Sequence, residues 1–573
     1  MKRKRAPEPT AQAAEASGWS GKHIAIGSVA AAAIVFELYS PSLSGPFVLD
    51  DLYLPFMNPD VDRLPASVWL GSRPLLNVSF WLNYQLSGVD TVSYHVANAA
   101  LHLVTGLLVF LMLRKLVERA GEAGAKRDLL AAFGAGWFLF HPLQTESVAY
   151  VASRSDVLST LLSYLALLVF LHRQSRAIGV AKAGLVLFLF VCAGLTKQQA
   201  IVLPALFLLA DYYWNPGFTL EGIRRNWRLH GPVIVGGIIG TGFVFRTLSQ
   251  GSSAGFHVKE FTWYEYFYTQ CRAFWLYVRL LVLPVGQNAD PEFAISRSLA
   301  DAGAAAGLAG ILVLLGTAWW FRRRFALGSF GLLVWVICLM PTSSFIPILD
   351  PIAERRLYFP MLGFILVVLE GARRLKVERN ALAGGMAAVL LLLGWLTYSR
   401  AEVWGSAFAL WQDTAAKSPG KVRPRFQLAY AYFREQRCAE ASREFAHAAR
   451  LGPPDATLLV DWGLSLDCEG KLEQALAPLR QAATLERSAH AQSTIGMVLA
   501  KLGRYQEALA ALDQAQAIDP HYAITYVYRG NVFAATGDWR KAAGEYRKAL
   551  VWDQRHTMAI QALQMAERQL QGR

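Results

Sequence analysis

Two adjacent acids, Asp50 and Asp51, are the residues of this sequence with the clearest capacity for chemistry. They follow an apolar run, 23–40, that is about long enough to cross a membrane with some tilt. Carboxylates at the mouth of a membrane segment are costly unless water, a cation or a substrate meets them. Taken alone, the pair is more simply interpreted as a hydrated, proline-rich turn. Other polar residues of the same region change that interpretation.

These other polar residues occupy loops on the same side of the predicted membrane region. They are Arg73 in the first loop, His141, Glu146, Arg154 and Asp156 in the second, Lys197 in the third, and Glu354, Arg355 and Arg356 in the fifth. Each alone is more often an interfacial anchor or a helix cap, but their coincidence on one face favours a site. A carboxylate such as Asp50 would act as general base on an acceptor hydroxyl, while Lys197, Arg355 and Arg356 would hold a departing phosphate.

Membrane helices are the elements that must position these residues. The chain is 54% hydrophobic and 17% charged, with a mean hydropathy of +0.29, which disfavours a water-soluble class. Eleven apolar runs predict spans, near 23–40, 93–113, 128–147, 155–171, 183–200, 200–213, 231–248, 302–321, 326–346, 357–372 and 380–398. A twelfth segment, 262–284, is amphipathic and is predicted to dip into the membrane from outside.

The basic residues indicate how these spans are oriented. Lys and Arg cluster in alternate loops that share the side of the N-terminal Lys2–Arg5, and that side is cytoplasmic by the positive-inside tendency. This placement accounts for the net charge of +14 without a nucleic-acid partner. Residues 1–22 are predicted to be a cytoplasmic tail before an uncleaved anchor, with a cleaved signal peptide as the alternative. An odd number of spans places the C-terminal region on the opposite side.

The C-terminal third carries a regular repeat. Small residues recur at Ala429, Gly463, Gly496 and Gly530, and a turn position at Gln436, Gly470, Gly503 and Gly537. The next small position falls at Ala441, Ala475, Ala508 and Ala542. This period resembles the tetratricopeptide repeat and predicts four repeats over 422–555, a partial helix before them, and a closing helix near 556–571. The sequence therefore predicts an all-α protein with a tail (1–22), a membrane domain (23–400) and a soluble helical array (401–573).

Several motifs resemble one known family. Phe47-Val48-Leu49-Asp50-Asp51, the run from His141 to Tyr150 followed by Arg154 and Asp156, and the run from Glu354 to Pro360 are similar to the transmembrane and tetratricopeptide-repeat O-mannosyltransferases and their bacterial relatives. The resemblance implies a GT-C-type glycosyltransferase of a bacterial inner membrane. It would move mannose or another hexose, with inversion, from a polyprenyl-phosphate donor to Ser or Thr of exported proteins presented by the repeats.

The resemblance also implies roles for individual residues. Asp50 would be the catalytic base, and Asp51 would orient the acceptor or bind a cation. Lys197, Arg355, Arg356 and Arg154 would bind the donor phosphate, and the acceptor or supporting residues would be His141, Glu146, Asp156, Arg73 and Glu354. One departure stands out, because Gln198 follows Lys197 where the family pattern has an acid.

Other functions stay open at this point. A non-catalytic scaffold would leave Asp50 and Asp51 in solvent with no cavity behind them, and a lipid- or glycan-directed transferase would need a broad membrane-facing acceptor groove. A transporter is disfavoured because the polar residues gather at one face and not at the midplane. No metal-ligand spacing stands out among the His and Cys residues, and the only cofactor left open is a divalent cation.

The cysteines and tyrosines of the repeats complete the predictions. Cys438 begins the second helix of repeat one and Cys468 ends the first helix of repeat two, so the two are expected to be near neighbours. An oxidising periplasm would permit a disulfide there, whereas the cytosol would not. Tyr432, Tyr526 and Arg529 are candidate contacts for a protein segment bound in the groove of the array, although helix packing explains the tyrosines equally well.

Overall fold

The computed structural model describes residues 18–173, 176–249 and 254–572, so most of the predicted tail lies outside the described residues. The chain divides into two compact units, one ending at Leu410 and the other beginning at Trp411. Within the described ranges the regular structure is helical, with an isolated β-bridge between Ala254 and Ile348. The predicted all-α class is confirmed.

A helix forms at every apolar run that the sequence indicates in the first unit, and the amphipathic segment 262–284 is also helical. The helix over 74–87 was not indicated by the sequence. In chain order the helices are α1 (Gly21–Tyr39), α2 (Ala66–Trp69), α3 (Pro74–Ser87), α4 (Thr91–Arg119), α5 (Gly124–Phe140), α6 (Thr145–Ala149), α7 (Arg154–Leu171), α8 (Val180–Gly194), α9 (Leu203–Trp214), α10 (Glu221–Arg225), α11 (Trp227–Leu248), α12 (Trp263–Val282), α13 (Ala304–Trp320), α14 (Ala326–Leu339), α15 (Met361–Arg373) and α16 (Arg379–Val403).

Several of these helices are shorter than the runs that predicted them. The run 128–147 is helical only to Phe140, ahead of Pro142, and the run 326–346 only to Leu339, ahead of Pro341, because proline disfavours helix in the residue before it. Among the residues that the structure describes, 5 helical segments are long and apolar enough to cross a membrane: Gly21–Ser42, Thr91–Arg119, Val151–Leu171, Trp227–Arg246 and Arg379–Val403. The count of eleven spans therefore stays a prediction.

Short 3-10 turns link the helices at the end where the polar motifs lie. The turns that matter for the site are Leu49–Tyr53, Pro142–Gln144, Val151–Ser153, Gln198–Val202 and Glu354–Leu357. Each holds only one or two helical turns, so its side chains project at closely spaced and defined angles. Elsewhere the helices pack tightly: a Cβ added at Gly363 of α15 would lie 2.5 Å from the carbonyl oxygen of Gly331 in α14.

The second unit is an array of paired helices, as the period of the sequence predicts. The four turn positions all adopt the left-handed conformation, with φ of 58° at Gln436 and 75° to 81° at the three glycines. The small residue that recurs in the first helix of each repeat is also accounted for by packing. A Cβ added at Gly463 would lie 2.5 Å from the side chain of Leu479. The helices are α17 (Ala407–Lys417), which begins in the first unit, then α18 (Val422–Arg434), α19 (Cys438–Leu451), α20 (Ala456–Cys468), α21 (Leu472–Leu485), α22 (Ala489–Lys501), α23 (Tyr505–Ile518), α24 (Ala523–Ala535), α25 (Trp539–Trp552) and the closing helix α26 (Thr557–Gln571).

Cys438 and Cys468 form a disulfide in this array, with their Cα atoms 5.7 Å apart. The expectation that the two are near neighbours is confirmed. The bond joins the start of α19 to the end of α20 and so ties the first repeat to the second. Cys271 and Cys338 are buried free thiols, while Cys192 is half-buried.

Candidate active site

Asp50 and Asp51 share the 3-10 turn Leu49–Tyr53 but occupy opposite environments. The Asp51 side chain is buried, and its two oxygens accept hydrogen bonds from the backbone N–H of Val48 at 3.1 Å and of Ala152 at 2.6 Å. Burial raises the pKa of Asp51 to about 7 against the opposing effect of these hydrogen bonds. Asp50 is exposed. A positive φ of 52° at Leu49, unusual for a branched residue, sets the turn so that one acid faces in and the next faces out.

Tyr150 connects the turn of Asp50 to the rest of the site. Its hydroxyl accepts a hydrogen bond from the backbone N–H of Asp50 at 2.9 Å. Its ring stacks on Trp404 at 6.1 Å between centroids and lies 5.7 Å from the guanidinium of Arg355. Burial, then the charges of Asp50 and Asp51, raises the pKa of Tyr150, so its hydroxyl stays a proton donor. No role was predicted for Tyr150 from the sequence, although this residue ends the run that begins at His141.

Arg355 is held against the site by Glu146. Its Nη1 lies 2.5 Å from Glu146 Oε1, and its backbone N–H donates to Glu146 Oε2 at 3.0 Å. Burial works to lower the pKa of Arg355, but the Glu146 carboxylate outweighs it and the pKa is raised. The Glu146 side chain is 3% exposed and that of Arg355 is 25% exposed. The carboxylate thus anchors a guanidinium that keeps part of its surface free.

Lys197 and Arg73 supply two further cations. Lys197 Nζ lies 2.6 Å from Asp156 Oδ1, while Arg73 Nη2 donates to Gln198 Oε1 at 3.3 Å. Burial lowers the pKa of Lys197 to about 8. The charge of Asp156 opposes this shift, and the charge of Arg73 adds to it. Burial also lowers the pKa of Arg73, and the charges of Asp156 and Asp50 oppose that shift. The Asp50 turn and the Lys197 turn therefore belong to one electrostatic cluster. Gln198, the departure from the family pattern, here orients Arg73.

Two arginines predicted to bind the donor phosphate are instead engaged by the protein. Arg154 is 1% exposed, and its guanidinium donates to Asn98 Oδ1 at 2.8 Å and to the carbonyl oxygens of Ser79 and Tyr94 at 3.2 and 3.1 Å. Arg356 donates to the carbonyl oxygens of Asp350, Pro351 and Thr342. The N–H donors of both residues are taken up by these oxygens, and a role of either residue in binding the donor phosphate stays a prediction.

Two of the predicted supporting residues also act at a distance from Asp50. The His141 side chain is buried, with Nδ1 accepting from the N–H of Leu143 and Nε2 placed 3.2 Å from the carbonyl oxygen of Leu281. Burial lowers the pKa of His141 to about 4, so the ring is neutral. Glu354 is buried and accepts from the N–H of Asn288 at 2.6 Å. Both hold loops in place.

The described residues contain no group of three or more His, Cys, Asp or Glu side chains that could hold a metal ion. Asp51, the residue predicted to orient the acceptor or bind a cation, has its oxygens turned to backbone N–H groups. What the cluster presents to solvent is the Asp50 carboxylate, with Arg73, Lys197 and Arg355 partly exposed around it. One base and three cations suit an acceptor hydroxyl and a phosphate.

Comparisons with known proteins find relatives of this chain. A protein O-mannosyl-transferase of Caenorhabditis elegans is 27% identical over 72% of this chain and 61% of its own length. The Homo sapiens protein O-mannosyl-transferase TMTC1 is 26% identical over 74% of this chain and 55% of its own length. The chain is related to the protein O-mannosyl-transferases. It spans only about three fifths of the length of these relatives.

The C-terminal region has matches of its own. The tetratricopeptide repeat family matches residues 487–550, within the array described above. The crystal structure of YrrB, described as a TPR protein with an unusual peptide-binding site, aligns with 31% of this chain and 88% of its own at 23% identity and a TM-score of 0.24. The predicted combination of a membrane domain similar to O-mannosyl-transferases with C-terminal tetratricopeptide repeats is confirmed.

Proposed function

We propose that this chain is a membrane-embedded protein O-glycosyltransferase that moves mannose or another hexose from a polyprenyl-phosphate donor to Ser or Thr hydroxyls. The observation that carries the proposal is the exposed Asp50 carboxylate in one electrostatic cluster with Arg73, Lys197 and Arg355. The names of the relatives support the same class of reaction.

In this reaction Asp50 accepts the proton of the acceptor hydroxyl as that oxygen attacks the anomeric carbon. The new bond forms between the acceptor oxygen and this carbon, and the bond from the carbon to the phosphate oxygen breaks. The polyprenyl phosphate leaves with the bonding electrons, and Lys197, Arg73 and Arg355 neutralise its growing charge. Attack opposite the leaving group inverts the anomeric configuration.

Asp51 has a separate role in this proposal. Its buried carboxyl fixes the turn by accepting two backbone N–H groups, one of them from Ala152 in the neighbouring turn. Holding the turn aims Asp50 outward and fixes its distance from Tyr150. The pair thus divides the work between a positioning acid and a reacting base, without a bound cation.

We further propose a location and an acceptor. The several apolar helices and the membrane-type relatives indicate a multi-pass membrane protein. We place it in a bacterial inner membrane with its N-terminus in the cytoplasm and both the site and the repeats on the periplasmic side. The repeats would present exported proteins, because stacked repeats form an extended concave binding surface.

The test is transfer of labelled mannose from polyprenyl-phosphate mannose to Ser- and Thr-containing peptides by the purified full-length chain. Asp50→Asn keeps the shape of the side chain and removes its basicity, so transfer should fall by at least about a hundredfold. Asp60→Asn is the matched control, because Asp60 is an exposed acid of the same loop. Equal transfer by the two variants would remove Asp50 as the catalytic base, and no transfer by the unchanged chain would favour the scaffold function. Transfer to a lipid or glycan, and not to peptides, would favour the lipid- or glycan-directed alternative.

A further inference from the structure

A cavity of about 400 Å³ lies at the far end of α4 from the candidate active site. Helix α4 has 29 residues, which is about 43 Å. Asn98, near its start, contacts Arg154 beneath the site, and Arg119, its last residue, lines the cavity. The two sites therefore lie close to opposite surfaces of a membrane about 30 Å thick.

The cavity is strongly basic. No Asp or Glu is among its lining residues. Four arginines line it, namely Arg119, Arg323, Arg324 and Arg373. Arg323 and Arg324 are exposed and form no ion pair among the described residues. Arg373 pairs with Glu370 at 2.8 Å, which neutralises one of the four charges.

Buried donors without acceptors mark the same cavity. Arg119 Nη1, Arg373 Nε and the indole N–H of Trp214 are buried and have no hydrogen-bond partner in the described part of the chain. All three residues line the cavity. A buried donor that loses its water and gains no acceptor costs free energy, so such groups normally have a partner. Three unpaired donors on residues that line one basic cavity favour an anionic ligand there.

The positive-inside tendency accounts for arginines on this side of the membrane but not for a concave cluster with unsatisfied donors. The level of the cavity fits a lipid headgroup. Trp319 and Trp320 are 49% and 80% exposed just before the loop of Arg323, and tryptophan collects where headgroups meet the hydrocarbon. Basic pockets between membrane helices on this side suit anionic headgroups.

We propose that this cavity binds a phosphate-bearing anion, through Arg119, Arg323 and Arg324, with the headgroup of an anionic phospholipid as its source. The indole of Trp214 donates one hydrogen bond to the phosphate, and the aromatic rings of Trp214 and Phe218 line its wall. Such a site would fix the inner-leaflet ends of α4, α9 and α15 around one lipid.

Binding is tested by thermal unfolding and native mass spectrometry of the purified full-length chain in neutral detergent. The probes are dioleoylphosphatidylglycerol, dioleoylphosphatidylcholine and inorganic phosphate. We expect phosphatidylglycerol to bind saturably and to raise the unfolding temperature, and the double variant Arg323→Gln with Arg324→Gln to bind it at least about tenfold more weakly. Phosphatidylcholine should have no comparable effect.

The matched control removes the same charge from a neighbouring basic loop. Arg224 and Arg228 are exposed and lie outside the cavity, so the double variant Arg224→Gln with Arg228→Gln should bind phosphatidylglycerol like the unchanged chain. Equal weakening in both double variants, or equal binding of phosphatidylcholine, would overturn the proposal, as would a lack of response to every probe. Protection by inorganic phosphate alone, lost in the first double variant, would support the anion site and identify a soluble ligand.

Discussion

Asp50 and Asp51 are identical side chains whose exposure is set by their different environments. One is exposed and the other is buried against two backbone N–H groups, although only one peptide bond separates them. Burial disfavours the ionised form of Asp51, so near neutral pH this carboxyl carries only part of a charge. The turn therefore holds two adjacent acids in different environments, beside a cluster of cations.

Lys197 makes the phosphate-binding role testable by pH. With its pKa lowered to about 8, the amine is protonated below this pH and neutral above it. If Lys197 binds the donor phosphate, kcat/KM for the donor should fall as the pH rises through about 8, because this ratio reports ionisations of the free enzyme. Lys197→Arg keeps its charge and should remove this fall.

The matched control for this pH profile is Lys182→Arg. Lys182 is half-buried and donates to the carbonyl oxygen of His172, outside the cluster. Its variant should keep the profile of the unchanged chain. A fall at pH 8 that persists in Lys197→Arg would assign the ionisation to another group and remove Lys197 from donor binding.

At the residue scale, the sequence predicted the members of the site better than their individual roles. Glu146, Asp156, Lys197 and Arg355 meet as two ion pairs, as residues expected on one polar face should. The contacts of Arg154 were not predictable, because sequence does not reveal that backbone carbonyl oxygens accept hydrogen bonds from its guanidinium. Tyr150 was missed for a related reason, since its position depends on a backbone N–H a hundred residues away.

Between helices, the short turns decide the geometry of the first unit. The apolar runs indicate where helices form, and proline sets where they stop. Helix α3 (Pro74–Ser87) was not predictable from sequence, because its apolar and polar residues alternate too irregularly to mark a span. Its first turn follows Arg73, so this helix fixes one of the cations of the site.

The repeats were predictable in more detail, because each position recurs four times. Two of the candidate groove contacts bond to other residues of the array. Tyr526 is 4% exposed and donates its hydroxyl hydrogen to the carbonyl oxygen of Pro520, and Arg529 pairs with Asp513 and Glu545. These contacts hold both side chains within the array, and their role in binding a segment stays a prediction. The first helices of successive repeats pack on one another, and their half-buried residues Asp461 and Tyr528 are further candidates.

Gln436 offers a test at the scale of one turn. It adopts a φ of 58° where the other three repeats have glycine, and this conformation strains a residue with a Cβ. Gln436→Gly should stabilise the turn by about 0.5–1 kcal/mol, seen as slower hydrogen–deuterium exchange across residues 430–445 of the full chain. Gln436→Ala keeps a Cβ and should bring no gain. Equal exchange in both variants would mean that the turn stores no strain.

For the whole molecule, the division into two compact units agrees with the change in composition near residue 400. The contact boundary falls after Leu410, because the helix Arg379–Val403 continues beyond its apolar part and belongs to the first unit throughout. Composition marks where hydrophobicity ends, whereas packing decides where a unit ends. The domain boundary at residue 400 therefore stays a prediction.

The disulfide between Cys438 and Cys468 connects the repeats to a compartment. It closes a segment with a sequence separation of 30, so loop-closure entropy predicts a stabilisation of about 3–4 kcal/mol. Bonds of this kind persist in an oxidising periplasm and are rare in the cytosol. A non-reducing peptide map of the chain isolated from intact cells should recover the two cysteines linked. Recovery of both as free thiols, with alkylation during lysis, would place the repeats in a reducing compartment.

Topology is the prediction that joins both units, and it is tested by labelling single cysteines in intact cells with a membrane-impermeant maleimide. Ser67→Cys lies in the first polar loop, Arg555→Cys in the last repeat and Lys376→Cys in a basic loop, and all three positions are exposed. If the repeats share the side of Asp50, the first two should react in intact cells and the third only after permeabilisation. The buried native thiols Cys271 and Cys338 give little background, and the unchanged chain corrects for Cys192. Protection of Arg555→Cys together with Lys376→Cys would require an even number of spans. The repeats would then lie across the membrane from the proposed catalytic base, where they could not present acceptors to it.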